Sequence, residues 1–242
     1  MDNAPDDLVL LHGFGQNSRC WGPLLGLLGR HPLTAIDLPG HGTASEIPAD
    51  LWQSGSYVTG YGGVGTYVGY SLGARIALHA ALGHPEAVRR LVLISGTAGI
   101  DDADERAARR ASDEALAERI ESIGVRRFVD EWLSLPMFRG LDDTTRFAAE
   151  RETNTEAGLM SSLRLAGAGT QEPLWLRLGE LAMPVLVIAG AHDTKFVTLA
   201  ERMAAAIGDN AALAIIAGAG HSAHLEEPSA TAAALNAWLT QR

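Results

Sequence analysis

Val64-Gly65-Thr66-Tyr67-Val68-Gly69-Tyr70-Ser71-Leu72-Gly73 decides how the chain is read. Val64 to Gly69 is a short β-rich run, and Leu72 to Leu82 is an Ala/Leu-rich run of helix formers. Between them, Gly69-Tyr70-Ser71-Leu72-Gly73 matches G-x-S-x-G, and the strand–motif–helix context is what raises the match above chance. A turn this tight has no room for side chains at its ends, so glycine stands at both. It pushes the Ser71 hydroxyl out past the edge of a sheet. It also aims the unpaired N–H groups and positive dipole of a helix starting at Leu72 at whatever that hydroxyl touches. The plainer alternative is a Ser/Gly loop that only reverses the chain.

Outward from this turn, the chain alternates apolar runs with helix-like segments. Leu8-Val9-Leu10-Leu11 is continuous and apolar, as in a strand buried on both faces, and ends in the low-bulk turn His12-Gly13-Phe14-Gly15. Trp21 to Leu28 has helical apolar spacing. Leu33 to Ile36 reads as a second strand, ended by Asp37-Leu38-Pro39-Gly40-His41-Gly42. Residues 43–63 hold Pro48 and Gly55, Gly60, Gly62 and Gly63, which predicts only a short helix, Ala49 to Ser54. Strands follow at Leu91 to Ile94, Pro184 to Ala189 and Ala211 to Ile216, with helices at Thr198 to Ile207 and Pro228 to Leu239, the last with proline in its first turn. Residues 104–166 are charged, helix-prone and without a strand-like run, with apolar positions such as Ile120, Ile123, Phe128 and Trp132 at helical spacing. The expected architecture is α/β: a mostly parallel sheet flanked by helices, formed by residues 1–100 and 171–242, with a helical cap inserted at 101–170. Right-handed crossovers then gather the functional loops at the carboxyl ends of the strands.

Composition narrows the function. With 242 residues there is enough chain for one sizeable core. A net charge of −10 argues against nucleic acid and anionic membrane surfaces as partners. The one cysteine, Cys20, has no internal disulfide partner, which fits a reducing compartment. The acidic opening stretch, Met1 to Asp7, is unlike a signal-peptide n-region, and no apolar run approaches a membrane span. A cytoplasmic location is expected. The composition leaves the oligomeric state open.

A serine hydroxyl needs a base, and the base needs an orienting acid. Of eight histidines, His221 is best placed, in the loop Gly218-Ala219-Gly220-His221 after the last strand, with His224 as its near rival. Asp193, just after the strand ending at Gly190, fits the acid; its bland role is to cap the next helix. Glu226 and Glu227 follow His221 too closely to be preferred. A developing oxyanion needs two donors, for which the amides of Leu72 and Phe14 are the natural pair. The histidine spacings do not suggest a metal site, and the glycines of 60–73 do not form a dinucleotide fingerprint, so no metal or cofactor is expected.

The order Ser71…Asp193…His221, on this elbow, resembles the α/β-hydrolase superfamily over nearly the whole chain. The segments Leu11 to Gly15, Trp21, Asp37 to Gly42, Gly69 to Arg75, Arg106 to Asp113, Gly167 to Trp175, Asp193 to Phe196 and Gly220 to His224 resemble, more closely, the 2-succinyl-6-hydroxy-2,4-cyclohexadiene-1-carboxylate synthases of menaquinone biosynthesis. That resemblance implies a lyase that eliminates pyruvate from a cyclohexene bearing several carboxylates, with the serine acting as a base. It also implies carboxylate binding by Arg75 and Arg109 and, at less certain pocket positions, Tyr70, Trp132, Arg151 and Lys195. A small anionic substrate meeting an acidic protein needs such a local cluster of cations. Each residue has a plainer reading too: Arg75, Arg109 and Lys195 as surface cations, and Trp132 as cap packing. Two further functions stay open: a serine ester, thioester or carbon–carbon hydrolase using the same three residues, and a ligand-binding protein without turnover.

Overall fold

A computed structural model describes residues 7–29 and 31–241; the acidic opening stretch up to Asp6 lies outside them. Among the described residues six strands form one sheet: β1 (Leu8–Leu11), β2 (Leu33–Ile36), β3 (Gly65–Tyr70), β4 (Val88–Ile94), β5 (Val185–Gly190) and β6 (Ala211–Ile216). Their order is β2-β1-β3-β4-β5-β6, and every pair is parallel. Parallel strands need crossovers, and these are supplied by α1 (Leu24–Leu27), α2 (Leu51–Gly62), α3 (Leu72–Gly83) and α7 (Thr194–Ile207) together with the long helical segment between β4 and β5.

The apolar runs explain the two layers. In β1, Val9 and Leu11 join one core cluster while Leu8 and Leu10 join another, the period-2 alternation of a strand covered on both faces. Leu91 and Leu93 face the first cluster and Val92 and Ile94 the second. The first is closed by residues of α2, α3 and α7, including Val58, Ile76 and Met203. The second is closed by Trp21 and Leu24 and by Leu235 and Trp238 of α8 (Pro228–Leu239). Each of these fully buried aliphatic side chains contributes about 1.5–3 kcal/mol.

Two local expectations are corrected. Helix α2 runs from Leu51 to Gly62, well past the short piece expected at Ala49 to Ser54. Its start is held by a capping box, in which the Asp50 carboxylate accepts from the Gln53 amide and the Gln53 side chain accepts from the Asp50 amide. Its mid-helix glycine is a packing device: a Cβ at Gly55 would sit 3.0 Å from the Ala80 nitrogen on α3. Close helix–helix contact therefore offsets the poor propensity. Conversely, Trp21 to Leu28 gives only the one-turn α1, because Gly22, at φ 52°, keeps the preceding residues in turns.

Between β4 and β5 the chain forms α4 (Ala103–Leu133), α5 (Ala148–Arg151) and α6 (Glu156–Ala166). Gly124, at φ 78°, breaks α4 in two. These helices carry a separate apolar cluster of Ile120, Phe128, Leu159 and Leu163, and Phe14 from the β1 loop packs against it. No helix among the described residues is long and apolar enough to cross a membrane.

Candidate active site

Ser71 sits between β3 and α3 at φ 52°, a left-handed conformation that a non-glycine residue holds only when its surroundings demand it. A Cβ on Gly69 would run into the Gly73 carbonyl, and one on Gly73 would run into the Leu11 carbonyl. Both glycines of the motif are therefore required by contact, the second because α3 starts directly against the end of β1. The Ser71 amide donates to the Ile94 carbonyl at 2.9 Å, pinning the turn to β4.

His221 Nε2 lies 3.3 Å from Ser71 Oγ, and His221 Nδ1 lies 2.8 Å from Asp193 Oδ2. The carboxylate fixes the tautomer: Nδ1–H donates to Asp193, which leaves the Nε2 lone pair facing the serine hydroxyl. The two oxygens of Asp193 divide its work, since Oδ1 accepts from the Phe196 amide at 3.3 Å and caps α7. The capping bond therefore starts α7 at Thr194, four residues before the expected Thr198. Burial pushes the Asp193 carboxyl up, but the hydrogen bond and charge of His221, the Phe196 amide and Lys195 together outweigh it and hold the group below its ordinary range.

Several residues that carry no motif hold His221 in place. Ser95, itself at φ 49°, donates its hydroxyl to the His221 carbonyl at 2.7 Å. Glu226 accepts from the Gly220 amide at 2.7 Å and from the Ser222 amide at 2.9 Å, clamping the loop from both sides of the histidine. Its closeness in sequence, which argued against it as the orienting acid, is what this clamp requires. Tyr70 is buried, its hydroxyl 2.7 Å from Ser222 Oγ and its ring between His221 and His224, so it braces the same loop from below. His224 is fully buried against Tyr70 and Trp21 and does not line the cavity; burial lowers it to about 3, so it stays neutral.

A cavity of about 950 Å³ opens over Ser71, between the sheet end and the helices that follow β4. Phe14 and Leu72 line it beside the serine, where amide donors to an oxyanion are wanted. Arg75, one turn along α3, is buried and faces the cavity while one guanidinium N–H donates to the Ala166 carbonyl at 2.7 Å. Burial, with Arg109 nearby, lowers it to about 10, still a cation at neutral pH. Arg109 lines the cavity and pairs with Asp113 at 2.8 Å. Lys195 is exposed at the rim. Trp132 is both wall and packing, its ring against Phe14, Phe128 and Phe138. Arg151 lies outside the large cavity and lines a smaller recess beside Ser71. Arg202, which the motifs did not single out, lies over Trp175 and pairs with Asp101 at 2.6 Å on the cavity wall.

A catalogued family model described as "Alpha/beta hydrolase family" matches residues 8–234. The chain belongs to the alpha/beta hydrolase family. A relative of this alpha/beta hydrolase from Serratia proteamaculans (strain 568), named 2-succinyl-6-hydroxy-2,4-cyclohexadiene-1-carboxylate synthase, is 34% identical over 96% of this chain and 92% of its own. Among solved structures, MenH from S. aureus superposes with a TM-score of 0.89 at 28% identity, covering 97% of this chain and 93% of that one. A hydrolase from Pseudomonas aeruginosa PA01 superposes with a TM-score of 0.80 at 25% identity, covering 99% and 92%. The chain is thus an enzyme of the alpha/beta hydrolase fold, similar in sequence to proteins named 2-succinyl-6-hydroxy-2,4-cyclohexadiene-1-carboxylate synthase.

Proposed function

We propose that this enzyme is a lyase that eliminates pyruvate from 2-succinyl-5-enolpyruvyl-6-hydroxy-3-cyclohexene-1-carboxylate to give 2-succinyl-6-hydroxy-2,4-cyclohexadiene-1-carboxylate. The positions in the two names dictate the chemistry. A proton leaves C2, which the adjacent succinyl ketone acidifies. A C2=C3 bond forms, the C3=C4 bond moves to C4=C5, and the C5–O bond breaks. Enolpyruvate departs and takes up a proton to become pyruvate. No water is consumed, so nothing has to be acylated.

Ser71 is the base in this reading. His221 Nε2 accepts the hydroxyl proton as Oγ takes the C2 proton, and Asp193 stabilises the imidazolium that results. The Ser71–His221 distance of 3.3 Å is the loose spacing common in unliganded sites. The amides of Phe14 and Leu72 are assigned to the enolate oxygen that grows on the ketone. Arg75, Arg109, Lys195 and Arg151 are assigned to the substrate's carboxylates, with Trp132 as the apolar wall against the ring and Tyr70 bracing the His221 loop.

The observation that carries the reading is Arg75: a buried guanidinium one helical turn from the serine, facing the same cavity. Burying a cation there is costly and suits a substrate that brings carboxylates. The sequence similarity to synthases over nearly the full chain supports it. A second reading, hydrolysis of a carboxylated ester or thioester, draws on the same three residues and on the likeness to a hydrolase. The test supplies the enolpyruvyl precursor and a panel of p-nitrophenyl esters to the purified enzyme. Rapid pyruvate release with slow ester turnover is expected; rapid ester turnover without pyruvate would replace the lyase by the hydrolase.

A further inference from the structure

Beside Ser71 a recess of about 20 Å³ is lined by Gln16, Tyr70, Phe138 and Arg151, and shares Phe14, Ser71, Trp132, Met137 and His221 with the large cavity. Its volume holds a group the size of a water molecule or one end of a carboxylate. Three N–H donors on its lining residues have no partner among the described residues: Gln16 Nε2, Trp132 Nε1 and Arg151 Nη1. Gln16 and Arg151 are both about 99% buried, at 1% exposure each. Leaving donors unpaired at this depth is costly, most of all for a charged group. Three in one recess is the pattern of a site that awaits an acceptor.

The orientation of Gln16 follows from its other bond. The Gly13 amide can only donate, and it points at the Gln16 amide group at 2.9 Å, so that atom is Oε1. Nε2 is therefore the atom left without a partner. Arg151 spends Nε on the Arg146 carbonyl at 2.8 Å, and among the described residues no carboxylate pairs with it. Phe138 lies 5.7 Å from its guanidinium, which leaves the charge without an anion.

We propose that Gln16 contacts the substrate directly, its Nε2–H joining Arg151 Nη1 and Trp132 Nε1 in a three-donor subsite that seats one carboxylate group next to Ser71. The occupant rests on the elimination reading; the subsite itself does not. Under that reading the carboxylate belongs to the enolpyruvyl group, whose departure as pyruvate would leave the same anion in the recess. Gln16 thereby sets specificity for a leaving group that carries an acid, which a simple alkoxide leaving group lacks.

The test is binding of pyruvate, followed by tryptophan fluorescence and calorimetry at constant ionic strength, to the wild type, Gln16→Glu and Gln16→Met. Gln16→Glu keeps an acceptor for the Gly13 amide and hands Arg151 an internal carboxylate. Gln16→Met removes the donor without adding charge. The expected result is saturable binding by the wild type, weakened at least tenfold in both variants, with melting temperatures within a few degrees. KM for the enolpyruvyl precursor rises by a similar factor. Equal binding by all three proteins, or no saturable binding by the wild type, overturns the subsite. A wild type that binds pyruvate through Gln16 yet releases none from the precursor keeps the subsite and removes the elimination reading. Pyruvate release with a KM unchanged by either substitution does the reverse.

Discussion

Acid should strip this protein of stability well above the pH at which its carboxylates protonate, and the reason is four buried histidines. Burial lowers His12 to about 4, His41 to about 3, His79 to about 4 and His224 to about 3. His12 and His41 lock two loops as neutral rings: His12 Nε2 accepts from the Leu38 amide at 3.0 Å, and His41 Nε2 accepts from the Gly15 amide at 3.1 Å. An imidazolium has no lone pair to accept with, so protonation would break both contacts. In the unfolded chain each ring titrates near its ordinary value of about 6.5. Folded values lie below unfolded ones, so the stabilisation is present above that pH and is lost as the pH falls toward the folded values. At pH 5.5 each unfolded ring holds about 0.9 proton while each folded ring holds almost none, so unfolding takes up about 3.6 protons. Integrated from pH 7.5 to 5.5, this removes about 1.4 kcal/mol per histidine and about 5 kcal/mol in all. A domain has about 5–15 kcal/mol to lose. Asp37 and Asp142, both held at about 2, add to the effect only at lower pH, so this window isolates the histidines. The assay is urea unfolding at pH 7.5, 6.5 and 5.5 with the slope against urea held common. His79→Gln should reduce the proton uptake by about one. A loss under about 1.5 kcal/mol across the window would refute the reasoning, because it would mean that the rings titrate freely in the folded protein.

Other substitutions follow from the same contacts. Gly73→Ala drives a Cβ into the Leu11 carbonyl and should abolish soluble folded protein, read by expression and circular dichroism. Asp193→Asn keeps an acceptor for the Phe196 amide but can stabilise the wrong His221 tautomer; turnover should fall about 10³- to 10⁴-fold with the melting temperature little changed. Arg75→Met fills similar volume without charge; KM for the carboxylated precursor should rise about tenfold or more, while any cleavage of a neutral ester stays nearly intact. Equal losses on both substrates would remove Arg75 from carboxylate binding.

The sheet was legible because its inner strands are buried on both faces and read as unbroken apolar runs, while the half-exposed edge strands Leu33–Ile36 and Ala211–Ile216 keep enough apolar residues to read as strands too. Leu8–Leu11, Leu33–Ile36 and Ala211–Ile216 match residue for residue, and the strand–serine–helix turn sits where its glycines put it. The helix at Leu51–Gly62 was not legible, because its three glycines, with Gly63 just beyond, argue against a helix on propensity alone and what rescues it, the contact of Gly55 with α3, is tertiary. The one-turn α1 failed the other way, its apolar spacing outvoted by the conformation of Gly22. Around the candidate site the pattern is similar. Ser71, Asp193 and His221 stand at strand ends and can be read from motif and order. Gln16, Ser95 and Glu226 cannot, because each is tied to the site by a backbone amide or carbonyl contact, and such contacts leave no signature in composition. Arg151 was reached only through resemblance; nothing in its charged helix marks it as an arginine that, like Arg75, is buried without a carboxylate partner among the described residues.

The most direct measurement is single-turnover release of pyruvate from the enolpyruvyl precursor, with enzyme in excess, by wild type and by Ser71→Ala. A hydroxyl that takes the C2 proton is indispensable, so release by the alanine variant should slow at least 10³-fold while precursor binding persists. Release within tenfold of wild type would mean that another group removes the proton, and the role given to Ser71 would be wrong.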